Sequence, residues 1–217
     1  MAIRILSADD YDIIRQSLAI LLGNDPDLEV VGQAGDGQVV IDLANKLRPD
    51  IIIMDIIMPK KTGIDATRKI LKQCPDIKVI GYSGNSDNNS VREMFKAGAT
   101  GYISKQCDFE ELVTAIKTVF SGQVYLSPYV TNIVVEGYIN HSLKNYDSVY
   151  SLLTTKEREV LQLIAEGKTT KEIALAFNIG ISAVEWRRNK LMGKLGIRNI
   201  ANLIKYAIRE RLVGIYP

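Results

Sequence analysis

One pattern repeats five times within the first 120 residues: a short apolar run, then a stretch whose apolar residues recur at helical spacing. The runs are IRILSA (3–8), EVVGQA (29–34), IIIMD (51–55), KVIGYS (78–83) and GYISK (101–105). Each is short and apolar or β-branched, as strands buried on both faces must be. In 12–22, Ile13, Ile14, Leu18, Leu21 and Leu22, with the small Ser17, are expected on one helical face. Comparable faces recur in 38–47, 65–73, 89–97 and 108–120. Strands that alternate with helices require a parallel sheet covered by helices on both sides, a doubly wound α/β arrangement.

The rhythm stops near residue 121. The stretch to residue 150 holds Gly, Pro, Asn, Ser and five Tyr, with one helical pattern at 128–139, and reads as a linker with a docking helix. From Leu152 the pattern is helical only, with four helices expected at about 154–166, 170–177, 182–195 and 198–212. Each of the first three opens on a Ser or Thr with Glu three residues later, namely Thr154/Glu157, Thr169/Glu172 and Ser182/Glu185, the signature of a capping box. Expected boundaries are therefore 1–122 for the α/β domain, 123–150 for the linker and 151–217 for a small all-α domain. Charge divides along the same lines. Residues 1–120 carry 14 Lys and Arg against 17 Asp and Glu, whereas 151–217 carry 12 against 6. An acidic first part joined to a basic last part suggests two partners, with nucleic acid the candidate for the basic one.

In a doubly wound sheet, functional groups gather at the carboxyl ends of the strands. Asp9 and Asp10 follow the first run, Asp55 ends the third, Ser83 ends the fourth and Lys105 ends the fifth. Three carboxylates suit one hard divalent cation such as Mg²⁺. A carboxylate nucleophile, a cation to neutralise developing charge and a hydroxyl to meet a phosphoryl oxygen suit phosphoryl transfer. Any one of these residues alone would be an ordinary solvated strand end; five on the ends of four strands are not. GQAGDG (32–37) has the wrong glycine spacing for a dinucleotide loop and reads as a turn. Two cysteines and a single histidine, His141, offer neither a zinc site nor a disulfide framework. The N-terminus turns acidic at once and no apolar run reaches membrane-spanning length, so a cytoplasmic protein without membrane attachment is expected.

IRILSADDYDIIR, IIIMDIIMPKKTGID, VIGYSG and KAGATGYISK resemble the receiver domain of two-component response regulators over roughly residues 1–122. The resemblance implies a flavodoxin-like five-stranded sheet of order 2-1-3-4-5, with Asp55 as phosphoacceptor from a histidine kinase. It implies Mg²⁺ on Asp10, Asp55 and the Ile57 carbonyl, with Asp9 assisting through water. Lys105 would contact the phosphoryl group, Ser83 would be the switch hydroxyl, and Tyr102 stands at the aromatic switch position. Read as a residue alone, Tyr102 could equally be an aromatic packed in place. Two departures stand out: Tyr11 where the closest subfamily usually has histidine, and Gly84 where a residue such as alanine is common.

LTTKEREVLQLIAEGKTTKEIALAFNIGISAVEWRRNKLMGKLG resembles the helix-turn-helix output domain of the NarL/FixJ (LuxR-type) subfamily, from about Leu152 onward. Ile173, Ala174 and Phe177 make the inner face of a scaffold helix, Asn178–Gly180 the turn, and a cationic recognition helix follows. The resemblance implies double-stranded DNA as partner, with contacts from Lys168, Thr170, Lys171, Ser182, Glu185, Trp186, Arg187, Arg188, Asn189, Lys190 and Lys194. Where the family usually has Thr-Val-Lys-x-His, this chain has Ala183-Val184-Glu185-Trp186-Arg187. Glu185 has two readings: capping partner of Ser182, or acceptor from cytosine N4. Trp186 could meet bases or pack against the neighbouring domain.

A small helix-turn-helix reads few base pairs, so a homodimer formed on phosphorylation is expected. Ile200, Leu203, Ile204, Ala207 and Ile208 form an apolar stripe that either serves such a contact or packs within its own domain. Two other functions compete with this regulator: a phosphatase of the haloacid-dehalogenase kind, and a receiver used only for docking. The first needs a general acid two residues after the nucleophile, where Ile57 stands; the second would suit an incomplete acidic pocket. Apart from its own phosphorylation and dephosphorylation, no enzyme activity is expected.

Overall fold

A computed structural model describes residues 2–84, 88–140 and 149–214. The chain forms two compact units, Met1–Asn145 and Tyr146–Pro217.

The first unit follows the expected alternation: β1 (Ile3–Ala8), α1 (Asp12–Leu22), β2 (Leu28–Ala34), α2 (Gly37–Leu47), β3 (Ile51–Asp55), α3 (Gly63–Gln73), β4 (Lys78–Ser83), α4 (Asn88–Lys96), β5 (Gly101–Ser104) and α5 (Phe109–Phe120). The strands pair in parallel in the order β2-β1-β3-β4-β5, with one addition. A sixth short strand, β6 (Tyr125–Leu126), pairs in parallel with β5 and is followed by α6 (Pro128–Asn140). The expected linker is therefore divided. Its first part extends the sheet and packs α6 against α4 and β5, residues 141–148 lie outside the described residues, and α7 (Val149–Leu152) packs on α8 (Thr155–Ala165) of the second unit.

β3 is buried along its whole length, as a central strand between two helical layers must be. Its Ile51 and Ile53 pack with Leu18 and Leu22 of α1 and Leu112, Ile116 and Val119 of α5. Successive strand residues alternate faces, which directs Ile52 and Met54 to the other layer. The expected face of α1 is narrower than the sequence suggested. Leu18 and Leu22 are buried with Ile14 packed against their cluster, whereas Ile13 and Leu21 are exposed. A step of about 100° per residue turns Ile13 away from the line of 14, 18 and 22.

The second unit holds α7, α8, α9 (Thr170–Phe177), α10 (Ile181–Leu195) and α11 (Ile200–Arg209). Val160, Leu161, Ile173, Val184, Leu191, Leu203 and Ala207 form its core, joined by Val149 and Leu153 from the entering segment. In the terminal stripe Leu203 and Ala207 are fully buried, Ile204 and Ile208 half-buried, and only Ile200 exposed. That stripe is thus mostly consumed by its own unit. Among the described residues no helix is long and apolar enough to cross a membrane.

Candidate functional site

Pairing of β1, β3, β4 and β5 as neighbours sets four strand ends side by side. Ala8 pairs with Met54, Asp55 with Tyr82, and Ser83 with Ser104, so the residues that follow each strand share one rim. Asp9, Asp10 and Asp55 each offer a carboxylate oxygen within 4.8 Å of the others. Asp9 is fully buried, Asp55 nearly so and Asp10 half-buried. The Lys105 ammonium lies between two of them, 2.6 Å from Asp9 Oδ2 and 3.1 Å from Asp55 Oδ2. Ser83 is buried at the end of β4, and its carbonyl accepts from the Lys105 N–H at 2.8 Å.

Asp9 and Asp55 share one ammonium, and burial makes their negative charge expensive. Loss of solvation raises the Asp55 carboxyl, and the charges of Asp9 and Asp10 add to it. Lys105 opposes the shift, leaving Asp55 pushed up to about 7. Burial works against the charge of Lys105 too, but Asp55 and Asp9 outweigh it and hold the ammonium above its ordinary value. Three carboxylate oxygens this close together make an all-oxygen donor set that fits a hard divalent cation.

The loop after Asp55 makes this arrangement possible. The Gly63 N–H donates to the Ile56 carbonyl at 2.8 Å, folding the chain back over the strand end. A Cβ on Gly63 would come within 1.9 Å of the Asp55 carbonyl oxygen, so only glycine lets the start of α3 pass there. The Ile57 N–H points at Asp55 Oδ1 over 3.4 Å. Across the loop, Lys60 pairs at 2.7 Å with Asp36, whose other oxygen accepts from the Gln38 and Val39 N–H groups to cap α2. The GQAGDG stretch thus holds the end of β2, a turn at Gly35 and Asp36, and the capped start of α2. Gly63, Gly81 and the Lys60–Asp36 pair were not singled out from the sequence, although a glycine eight residues after the acid was the available sign.

Tyr102 is completely buried. Its ring fills space left by Gly81 on the paired strand, where a Cβ would meet Tyr102 Cδ2 at 3.0 Å and Met94 Cγ at 3.2 Å. The aromatic position is therefore turned inward between β4 and α4.

The other candidate surface is the outside of α9 and α10. The scaffold helix has its expected capping box, Thr169 with Glu172, and ends in a left-handed Asn178. The recognition helix departs from expectation. Its N-cap is Gly180 with extended backbone and no side-chain cap, so Ser182 is the second residue of the helix and Glu185 the fifth. The Ser182/Glu185 capping box does not form. Ile179 packs into the core directly after the left-handed turn, which pulls the helix start to Ile181.

Val184 and Leu191 anchor α10 inward. Ser182, Glu185, Trp186, Asn189 and Lys190 face outward, with Trp186 61% exposed. Lys190 sits 4.9 Å from the Trp186 ring centre, while half-buried Arg187 lies 5.8 Å from Phe177. Arg188 is also half-buried, and Lys194 pairs at 2.9 Å with Glu157 of α8. On α9, Thr170 is half-buried, Lys171 exposed, and Lys168 lies 3.9 Å from Glu172. Several expected DNA contacts therefore have partners within their own unit.

Comparison with known proteins divides the chain in the same way. Residues 5–117 match the response regulator receiver domain, and residues 151–207 match the bacterial regulatory proteins of the luxR family. The chain is 32% identical to the oxygen regulatory protein NreC of Staphylococcus carnosus, over 97% of this chain and 99% of that one. It is 30% identical to the transcriptional regulatory protein DegU of Brevibacillus brevis, over 98% and 96%. A solved structure of two RcsB dimers bound to two parallel DNAs is 25% identical, with TM-score 0.60 and coverage of 95% and 98%.

Proposed function

Since the chain belongs to the response-regulator family, with a receiver domain followed by a LuxR-type helix-turn-helix, we propose that it regulates transcription under the control of a phosphoryl group on Asp55. The observation that carries this reading is the buried cluster at the strand ends, where Asp9, Asp10 and Asp55 converge and Lys105 lies between Asp9 and Asp55.

Asp10, Asp55 and the Ile57 carbonyl would hold Mg²⁺, with Asp9 assisting through water. The cation would neutralise charge on the phosphoryl oxygens during transfer. An Asp55 oxygen attacks the phosphorus of a phosphohistidine on a sensor kinase. The P–O bond forms as the P–N bond breaks, and the imidazole leaves with the electron pair and takes up a proton. Lys105 then exchanges its contact with the Asp55 carboxylate for one with the phosphoryl group, and the Ser83 hydroxyl donates to a phosphoryl oxygen. Tyr102, buried between β4 and α4, follows Ser83, which supports transmission of the change to the surface of α4. Ile57 occupies the position where a phosphatase of related chemistry holds its general acid. That supports an acyl phosphate that persists as a signal, without turnover of an external substrate.

The output is double-stranded DNA, bound in the cytoplasm by a homodimer formed on phosphorylation. The RcsB dimers on DNA support pairing of two recognition helices. Incubation with Mg²⁺ and a small acyl phosphate should add one phosphoryl group to the parent and none to Asp55→Asn. Equal labelling of that variant would refute the assignment. Light scattering should register dimers when beryllofluoride is added to the parent and monomers without it; a protein monomeric in both states, yet tightly bound to its site, would remove the dimer.

A further inference from the structure

Glu185 is the only carboxylate of α10, and the fold does not use it. Capping, pairing with a neighbouring cation and answering the helix dipole are the three local roles a carboxylate can take in a helix. The cap is excluded because α10 starts at Ile181 behind Gly180, with no side-chain cap. Neighbouring cations are excluded too. Arg188, its neighbour three residues on, makes no ion pair with it, and Arg187 lies on Phe177, Lys190 on Trp186 and Lys194 on Glu157. Glu185 has no hydrogen bond or ion pair among the described residues. The dipole acts within the first turn, and Glu185 is the fifth residue.

The residue nevertheless stands at the centre of the outward face. Ile181, Glu185 and Asn189 follow one line at intervals of four, with Trp186 beside it. A helix that enters the major groove by its N-terminal half brings this line to the base edges. A free carboxylate there is repelled by the phosphates on both sides, so its net contribution is favourable only where a base donates to it. Among base edges in the major groove, cytosine N4 is the donor that carboxylates accept from. The flanking Ile181 and Trp186, 50% and 61% exposed in the free chain, would exclude water from that contact and strengthen it.

We propose that Glu185 is a specificity-determining residue that accepts a hydrogen bond from cytosine N4 at one position of each half-site. The inference rests on the DNA-binding reading above. The full chain, treated with beryllofluoride and Mg²⁺, is used to select sites from randomised double-stranded DNA. The parent, Glu185→Gln and Glu185→Ala are then compared on the selected site and on each single base-pair change. The parent should select a C·G pair at one position, and its replacement by T·A should weaken binding about tenfold or more. Glu185→Ala should lose discrimination at that position alone and bind unrelated DNA more tightly, since an anion has left the interface. Glu185→Gln should shift the preference there towards adenine, which glutamine recognises. A purely structural role would change none of these preferences. Unaltered base preference in both variants overturns the inference while leaving the DNA-binding reading intact. A parent that selects no sequence at all overturns both.

Discussion

The two units obtain their chemistry by opposite means. In the first, the groups proposed to react are forced together: Asp9 and Asp55 are buried and share one lysine. In the second, Ser182, Glu185 and Asn189 face outward on α10 with no side-chain hydrogen bond or ion pair among the described residues, while Arg187 and Lys194 are drawn into internal contacts. A buried site is built from conflict that a ligand relieves, whereas an exposed reading surface is built from groups without local partners. Mutations should therefore act differently in the two halves. Removing the Asp55 charge from the first should help the fold and destroy function, whereas removing Lys105 should cost both; removing a charge from the outward face of α10 should leave the fold unchanged.

The largest effect is expected at Gly63. Gly63→Ala places a methyl against the Asp55 carbonyl, at a distance that no side-chain movement relieves. A loss of about 3 kcal/mol or more is expected in chemical denaturation of the first unit, with the transition of the helical unit unchanged. Near-parental stability would mean that the loop over Asp55 is slack and that the crowding at the strand ends is overstated.

Asp55→Asn should act in the opposite direction. A carboxyl raised to about 7 in the fold, from an ordinary value near 4, binds its proton more tightly when folded. Its cost to stability is absent below the unfolded value, grows as pH rises between the two, and is full above 7. In metal-free buffer at pH 8 the variant should be more stable by about 2–4 kcal/mol, and the gap should close near pH 4. Mg²⁺ should stabilise the parent more than the variant. A variant less stable than the parent across this range would show that Asp55 is not in conflict with its neighbours.

Glu157 offers the helical counterpart with the reverse sign. Partial burial works against its charge, but the Lys194 ammonium and the N–H and hydroxyl of Thr154 hold its carboxyl below the ordinary value. Its stabilisation is present above the unfolded value and lost as pH falls from about 4.5 through the folded one. Glu157→Gln should lower stability at pH 7 by about 0.5–1 kcal/mol and flatten the acid limb of the melting curve of this unit.

The smallest structural effect is expected at Arg188, half-buried on α10. Arg188→Ala should leave melting within about 0.5 kcal/mol of the parent. DNA binding should nevertheless weaken similarly for all sequences, with a salt dependence shallower by about one phosphate contact. Unchanged affinity across a salt series would remove this arginine from the interface.

The layout of the first unit was legible because buried strands must be apolar along their length, and IIIMD or KVIGYS suits little else. The acidic rim followed from the sheet order. Illegible were the features that depend on distance between backbones: Gly63 against Asp55, and Gly81 beneath Tyr102. The strand of Tyr125–Leu126 was missed because two residues between Gly122 and Pro128 carry no periodicity. In the helical unit two of three capping boxes form as read. The third, Ser182 with Glu185, has the same letters, but the burial of Ile179 starts the helix earlier. A local motif yields when a partly buried apolar residue beside it packs on the core, and at α10 Glu185 is left without a cap to serve.

The central claim is that the crowded pocket of the first unit governs what the second unit does. Genome-wide recovery of bound DNA tests it most directly, with the parent and Asp55→Asn compared with and without a phosphodonor. The account predicts a defined set of sites enriched for the parent only when the donor is present, and no such gain for the variant. Recovery of the same sites in equal amounts from both proteins, regardless of the donor, would contradict it.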